Sequence, residues 1–369
     1  MSSVHAHQHW LLYALVAVPL VFVGCDTTSN GTGIDSEFNL NNCTIPTQNI
    51  ARGCSGPDCI PALSDPDLTT SRTEEAAYLA DTSRVIGLLF GDQALAIPHN
   101  ILWFHEIVNF DDWAGRTFAV TYCPLTGSSL AFDRSAVDGA ELRVSGLLFN
   151  NNLIMYDRQE ETSLWPQMNR AANCGANVGE ELSMLPIVEM RWGQWKALHP
   201  RTKVLSRRTG HVNRYTERSY PYGDYERKNN DRLLYDMGRL NEERPPKERV
   251  LGIPSGRGGL ALPFGELSTQ AAQAVSVSVG GEDLVVFWDR GGRAAMAYRP
   301  VHDGETFSFQ VANNRIVDEQ TGSTWTVEGR AIDGEMQGTQ LEPVTDAYVS
   351  FWFAWASFQP ETRLWTSAG

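Results

Sequence analysis

The chain has 369 residues, of which 42% are hydrophobic, 20% charged and 10% aromatic. That composition excludes a disordered chain, and 32 Gly with 18 Pro excludes a collagen-like or linker-type one. A formal charge of −14 argues against a general nucleic-acid binder, because polyphosphate would be repelled.

The first 24 residues contain no Asp, Glu, Lys or Arg, so the rest of the chain carries the whole charge. Trp10 opens an apolar stretch, LLYALVAVPLVFVG, that is too short to span a bilayer and has the length of a signal-peptide core. It ends at Gly24-Cys25 and gives way to the polar run DTTSNGTG. A small residue before a Cys, then a flexible polar segment, reads as a bacterial lipoprotein cleavage site. Residues 1–24 are thus expected to be a signal peptide and Cys25 an acylated N-terminus. The protein is expected in the cell envelope, outside the cytoplasm, held to a membrane by its lipid anchor. His5, His7 and His9 stand where Lys or Arg is usual, so plain secretion is the other reading.

In an oxidising compartment the remaining cysteines count as pairs. Cys43, Cys54, Cys59, Cys123 and Cys174 are five, so at least one stays free. Cys54 and Cys59 flank the turn SGPD and suit a local disulfide. Cys43 can then pair with Cys174, although sequence leaves that open, and Cys123 is the natural remainder.

One module occurs twice. VIGLLFGDQALAIPHNIL from Val85 returns as VLGIPSGRGGLALPFGEL from Val250, and WGQWKALHPRTKVL returns as WFAWASFQPETRLW. The landmarks keep their order at separations of 160 to 166 residues, as a duplication predicts. The expected organisation is a lipidated, Cys-bearing arm over 25–84, copy one over 85–205, a connector over 206–249 and copy two over 250–369. Residues 201–250 hold 13 Lys or Arg against 8 Asp or Glu, and read as a solvated, Tyr-anchored linker.

Within each copy the signals are mostly β. RTFAVTYC and DLVVFWD are rich in β-branched and aromatic residues, and Asp138-Gly139 and Asp303-Gly304 suit tight turns. RWGQWKALHP and FWFAWASFQP place aromatics three apart ahead of Pro200 and Pro360, which predicts two short helices. The expected fold is β-dominated α+β, with two tandem homologous modules packed pseudo-symmetrically. Trp165/Trp325, Trp192/Trp352 and Trp195/Trp355 recur in both copies and read as core.

Polar residues present in one copy alone are the better candidates for chemistry. Copy one has His105-Glu106 where copy two has Gln270-Ala271, Cys123 against Asp289, and His199 against Gln359. A thiolate with two imidazoles suits copper or zinc, so His105, Cys123 and His199 form a candidate metal set. Alternatively Cys123 is a nucleophile, with His105 as base and Glu106 as its orienter. Asn150, Asn152 and Asp157 would supply polar groups for binding beside it. His99 and His211 read as structural or surface residues.

At these residues the chain resembles the DUF3179 family of bacterial envelope proteins. The matching segments are FHEIVNFD, VTYCPLTGSSLAFDR, VSGLLFNNNLIMYDRQEETSLW, YPYGDY and PPKERVLGI. The resemblance implies an extracytoplasmic protein of two parts and brings no activity with it. Three functions follow from the residues: a metal-binding or redox lipoprotein, a thiol-dependent enzyme, or a non-catalytic envelope scaffold that docks a partner.

Overall fold

Each half begins as a tight hairpin whose strands alternate β-branched or Leu side chains with small residues. The computed structural model describes residues 38–159, 162–238, 240–267 and 272–367, so the leader and Cys25 lie outside the described residues. In the earlier half, strands β1 (Arg84–Phe90) and β2 (Gln93–Pro98) form the hairpin and run directly into helix α1 (His99–His105). A meander follows: β3 (Ile107–Trp113), β4 (Arg116–Cys123) and β5 (Ser128–Asp133). A second hairpin, β6 (Leu142–Phe149) and β7 (Asn152–Asp157), is extended by β8 (Ser163–Pro166). The half closes with β9 (Val188–Arg191), helix α2 (Trp192–Leu198) and β10 (Lys203–Leu205). β9 pairs antiparallel with β1, and β10 parallel with β2, giving the order β9-β1-β2-β10.

The later half also opens on a hairpin and a meander, without a helix between them among the described residues. β11 (Arg249–Ser255) and β12 (Gly258–Pro263) form its hairpin; β13 (Ala272–Val279), β14 (Glu282–Asp289) and β15 (Ala294–Arg299) form its meander. β16 (Phe309–Ala312), β17 (Arg315–Asp318) and β18 (Thr324–Trp325) make its second small sheet. β19 (Tyr348–Phe351), helix α3 (Trp352–Phe358) and β20 (Glu361–Leu364) end it, with the sheet order β19-β11-β12-β20 and a parallel β12/β20 pair. The protein is therefore mostly β with three short α-helices among the described residues.

The two tryptophan helices are set alike. Each is seven residues long and stops one residue before a proline, which disfavours helical backbone at the residue preceding it. Trp195 donates its indole N–H to Thr202 at 2.8 Å, and Trp355 donates to Thr362 at 2.8 Å. Both rings are fully buried. At ~25 cal/mol per Å2 and ~200 Å2 of ring surface, each contributes on the order of 5 kcal/mol of burial.

The cores are completed across the halves. Trp192 and Trp195 pack with Val285, Phe287, Tyr298 and Trp325 of the later half. Conversely, Trp352, Phe353 and Trp355 pack with Ile107, Leu130, Met155 and Trp165 of the earlier half. The connector joins in: Tyr215 and Tyr225 are buried, and Lys247 is 2% exposed with its ammonium 3.8 Å from the centre of the Tyr225 ring. The solvated part of the Tyr-anchored linker reading fails at Lys247, whose buried ammonium lies over the Tyr225 ring.

Cys43 is bonded to Cys174, and Cys54 to Cys59, leaving Cys123 as the free thiol among the described residues. No helix among them is long and apolar enough to cross a membrane.

Candidate functional site

Helix α1 stops at Glu106, whose backbone sits at φ 55° and ψ −34°. A non-glycine residue in that region is uncommon and strained, and such strain collects at functional sites. The Glu106 N–H still reaches Leu102 O at 2.9 Å, and its carbonyl accepts from Tyr122 N at 2.8 Å, so the turn is pinned to β4. The side chain is buried, and no hydrogen bond or ion pair reaches its carboxyl among the described residues. Burial alone pushes its pKa up to about 8.

Cys123 is the next residue along β4 from Tyr122 and is 1% exposed. Its sulfur accepts from Leu153 N at 3.4 Å and donates to Asn151 O at 3.6 Å. Burial first, and the charge of Glu106 second, push the thiol up to about 11. The connector closes the enclosure. The phenol of Tyr222 is raised by burial and then by the charges of Glu106 and Cys123, while Tyr225 donates to Leu125 O at 2.9 Å. At neutral pH the enclosure therefore holds a protonated carboxyl, a thiol and two phenols.

Next to it lies a closed polar network. Ser128 donates to Gln167 Oε1 at 2.6 Å, and Gln167 donates to Thr121 at 2.8 Å. Asn152 donates to Thr126 at 3.0 Å and Gln167 at 2.9 Å, while its own oxygen takes Met168 N at 2.9 Å. With these contacts Asn152 ties β7 to the β4–β5 turn and to the segment after β8. Asn150 and Asn151, at φ 51° and 58°, form the β6–β7 turn, which requires left-handed residues. Asn313 and Asn314, at 52° and 60°, make the same turn between β16 and β17, so the asparagines are not peculiar to the earlier half. Asp157 accepts from Ser163 N at 2.5 Å and Asn177 Nδ2 at 2.9 Å, bracing β7 against β8.

The expected set of His105, Cys123 and His199 is not brought together. His105 Nδ1 lies 2.7 Å from Pro61 O, and its Nε2 lies 2.7 Å from the Tyr215 hydroxyl. A carbonyl can only accept, so Nδ1 carries the proton and Nε2 accepts. Burial pushes this imidazole down to about 4. Both nitrogens are engaged, so His105 clasps the arm to the connector. His199 meets Glu328 of the later half at 2.7 Å and lies against Trp195. Among the described residues no group of three His, Cys, Asp or Glu could hold a metal ion.

A second polar centre lies around Glu189 of β9. Glu189 is buried and takes Arg84 Nε at 2.6 Å, Arg249 Nη1 at 3.0 Å and Ser129 Oγ at 2.7 Å. Burial opposes its charge, but Arg84 and then Arg249 outweigh it and hold the carboxyl down at about 2. His99 Nε2 lies 3.7 Å from Glu189, with its ring 4.0 Å from that of Tyr122. Burial pushes His99 down to about 3 in spite of Glu189. This knot forms the floor of an open cleft of about 430 Å3.

The family described as Protein of unknown function (DUF3179) matches residues 57–362, from the Cys54–Cys59 loop to β20. The chain belongs to that family. No curated protein and no solved structure matches it. In this DUF3179 protein, sequence reasoning misses Glu189, Arg84, Arg249 and the tyrosines of the connector. The available signal was a lone Glu inside the otherwise apolar β9 run, since a charge on a two-sided buried strand must be paired.

Proposed function

We propose that this DUF3179 protein is a thiol-dependent enzyme of the cell envelope, with Cys123 as nucleophile and Glu106 as its proton acceptor and donor. The observation that carries this reading is the buried, unpartnered Glu106 carboxyl, held by a strained backbone and electrostatically coupled to the free thiol. A pKa of about 8 lies near the working pH, where an acid–base group is most effective. In the proposed step the ionised fraction of Glu106, which grows as pH rises toward 8, takes the thiol proton as sulfur bonds to an electrophilic carbon. The leaving group then takes that proton. Admission of a substrate requires the side chains packed around the 1% exposed Cys123, Tyr225 among them, to move aside.

The envelope location rests on the leader, with Cys25 as lipid anchor, and is supported by two disulfides, which persist in oxidising compartments. The same reading takes residues 85–205 and 250–369 as descendants of one duplicated unit, and the matching strand orders support it.

An activated ester tests the chemistry. With p-nitrophenyl acetate, nitrophenolate release is expected as a burst of one equivalent per chain, lost in Cys123→Ser and slowed at least tenfold in Glu106→Gln, the general acid–base range. A burst that survives Cys123→Ser, or no burst between pH 7 and 9, would overturn the proposal.

A further inference from the structure

The cleft over Glu189 has an unusual charge for this protein. Six cations line it, namely Arg84, Arg191, Lys228, Lys247, Arg249 and Arg293, against three carboxylates, Glu217, Glu226 and Glu248. Counting the buried Glu189 beneath, the local balance is six against four, a surplus of two positive charges in a chain of −14. Most of these cations are already engaged. Arg84 and Arg249 hold Glu189, Lys228 pairs with Glu248 at 2.8 Å, and Lys247 donates to Arg232 O at 2.7 Å.

Arg191 and Arg293 are different. Arg191, at the end of β9, reaches Gly291 O at 3.4 Å, and no carboxylate pairs with it among the described residues. Arg293, from the turn between β14 and β15, has no side-chain partner among them and sits at φ 50°, a left-handed backbone. Burial and then the like charges of Arg191 and Arg249 press its pKa down. Arg191 and Arg293 thus stand without a carboxylate partner among the described residues, beside an Arg249 whose charge is met by Glu189 and Glu226. Trp103 and Phe264 line the same cleft, and the indole N–H of Trp103, a residue 7% exposed, has no acceptor.

We propose that this cleft binds a small organic oxyanion, a carboxylate or phosphate ester, whose charged end is clamped between Arg191 of the earlier half and Arg293 of the later half. Guanidinium forks match the paired oxygens of either group. Trp103 and Phe264 supply the apolar wall that an organic ligand needs and a free inorganic ion does not. The volume falls within the ~300–1,000 Å3 of small-molecule sites. The inference is independent of the thiol chemistry, since neither Cys123 nor Glu106 lines the cleft.

Calorimetry on the full chain at low salt, with phenyl phosphate, benzoate and inorganic phosphate as probes, tests it. Phenyl phosphate or benzoate is expected to bind more tightly than inorganic phosphate, and which of the two binds better identifies the charged group. Arg293→Gln and Arg191→Gln are each expected to weaken that binding at least tenfold. As a check needing no substitution, the bound probe is expected to protect Arg293 from phenylglyoxal in the native chain. Absence of binding by both organic probes, unchanged affinity in both variants, or modification of Arg293 at the same rate with and without probe would each overturn the proposal.

Discussion

The ring of Trp195 occupies the space that a side chain at Gly87 would need, and Trp355 does the same over Gly252. A β-carbon at either glycine would overlap the indole, and the ring cannot retreat because Thr202 or Thr362 holds its N–H. Gly87→Ala and Gly252→Ala are each expected to cost ~1–3 kcal/mol, the range for overpacking a filled core. Urea denaturation checks this, and a loss below half of the lower figure at both sites would contradict the packing described.

Glu106 sets a pH dependence of unusual sign. Its folded pKa of about 8 lies above the ordinary carboxyl value of 4.5, so folding favours the protonated form. The unfolded chain loses this proton first, and stability falls as pH rises from 4.5 through 8. Glu106→Gln removes that fall. Unfolding midpoints in urea measured at pH 5 and pH 8.5 are expected to differ less in the variant than in the parent chain.

The knot around Glu189 works at the other end of the scale. His99 has a folded pKa of about 3 against 6.5, and Glu189 about 2 against 4.5. Both are depressed, so their contribution is present above the unfolded values and is lost as pH falls, from 6.5 downward for His99 and from 4.5 downward for Glu189. His99→Asn is expected to flatten the loss between pH 6.5 and 4 in thermal melts. Glu189→Gln leaves Arg84 and Arg249 without their buried partner, and a cost of about 3–5 kcal/mol at pH 7 is expected.

The two disulfides are expected to differ in weight. Cys43–Cys174 closes a separation of 131 residues and Cys54–Cys59 one of 5. Loop-closure entropy assigns about 5 kcal/mol to the first and about 2 kcal/mol to the second. Paired Ser substitutions followed by chemical denaturation measure each; equal losses would argue against the entropic account.

The local parts of this fold are written in the sequence. Trp192 and Trp195 three apart before Pro200 predict α2, and Asp303-Gly304 predicts a tight turn, which both residues make with positive φ. The segment His99–His105 carries a helix that its neighbouring β signals hide. The charge of Glu106 acts on Cys123 from a left-handed backbone that residue type alone does not announce. The Glu189 knot was illegible for another reason: Arg84 and Arg249 lie 105 and 60 residues away along the chain, and no local pattern encodes such a pairing.

The sharing of tryptophan-lined cores between the halves has a consequence for how the protein can be cut. A break in the loop around His211, where Val212 is fully exposed, would leave two fragments whose buried apolar clusters are each completed by residues of the other. Neither piece could mature alone, yet the two would remain clasped as an obligate pair. Nicked chains of this protein should therefore co-purify and fall apart only together.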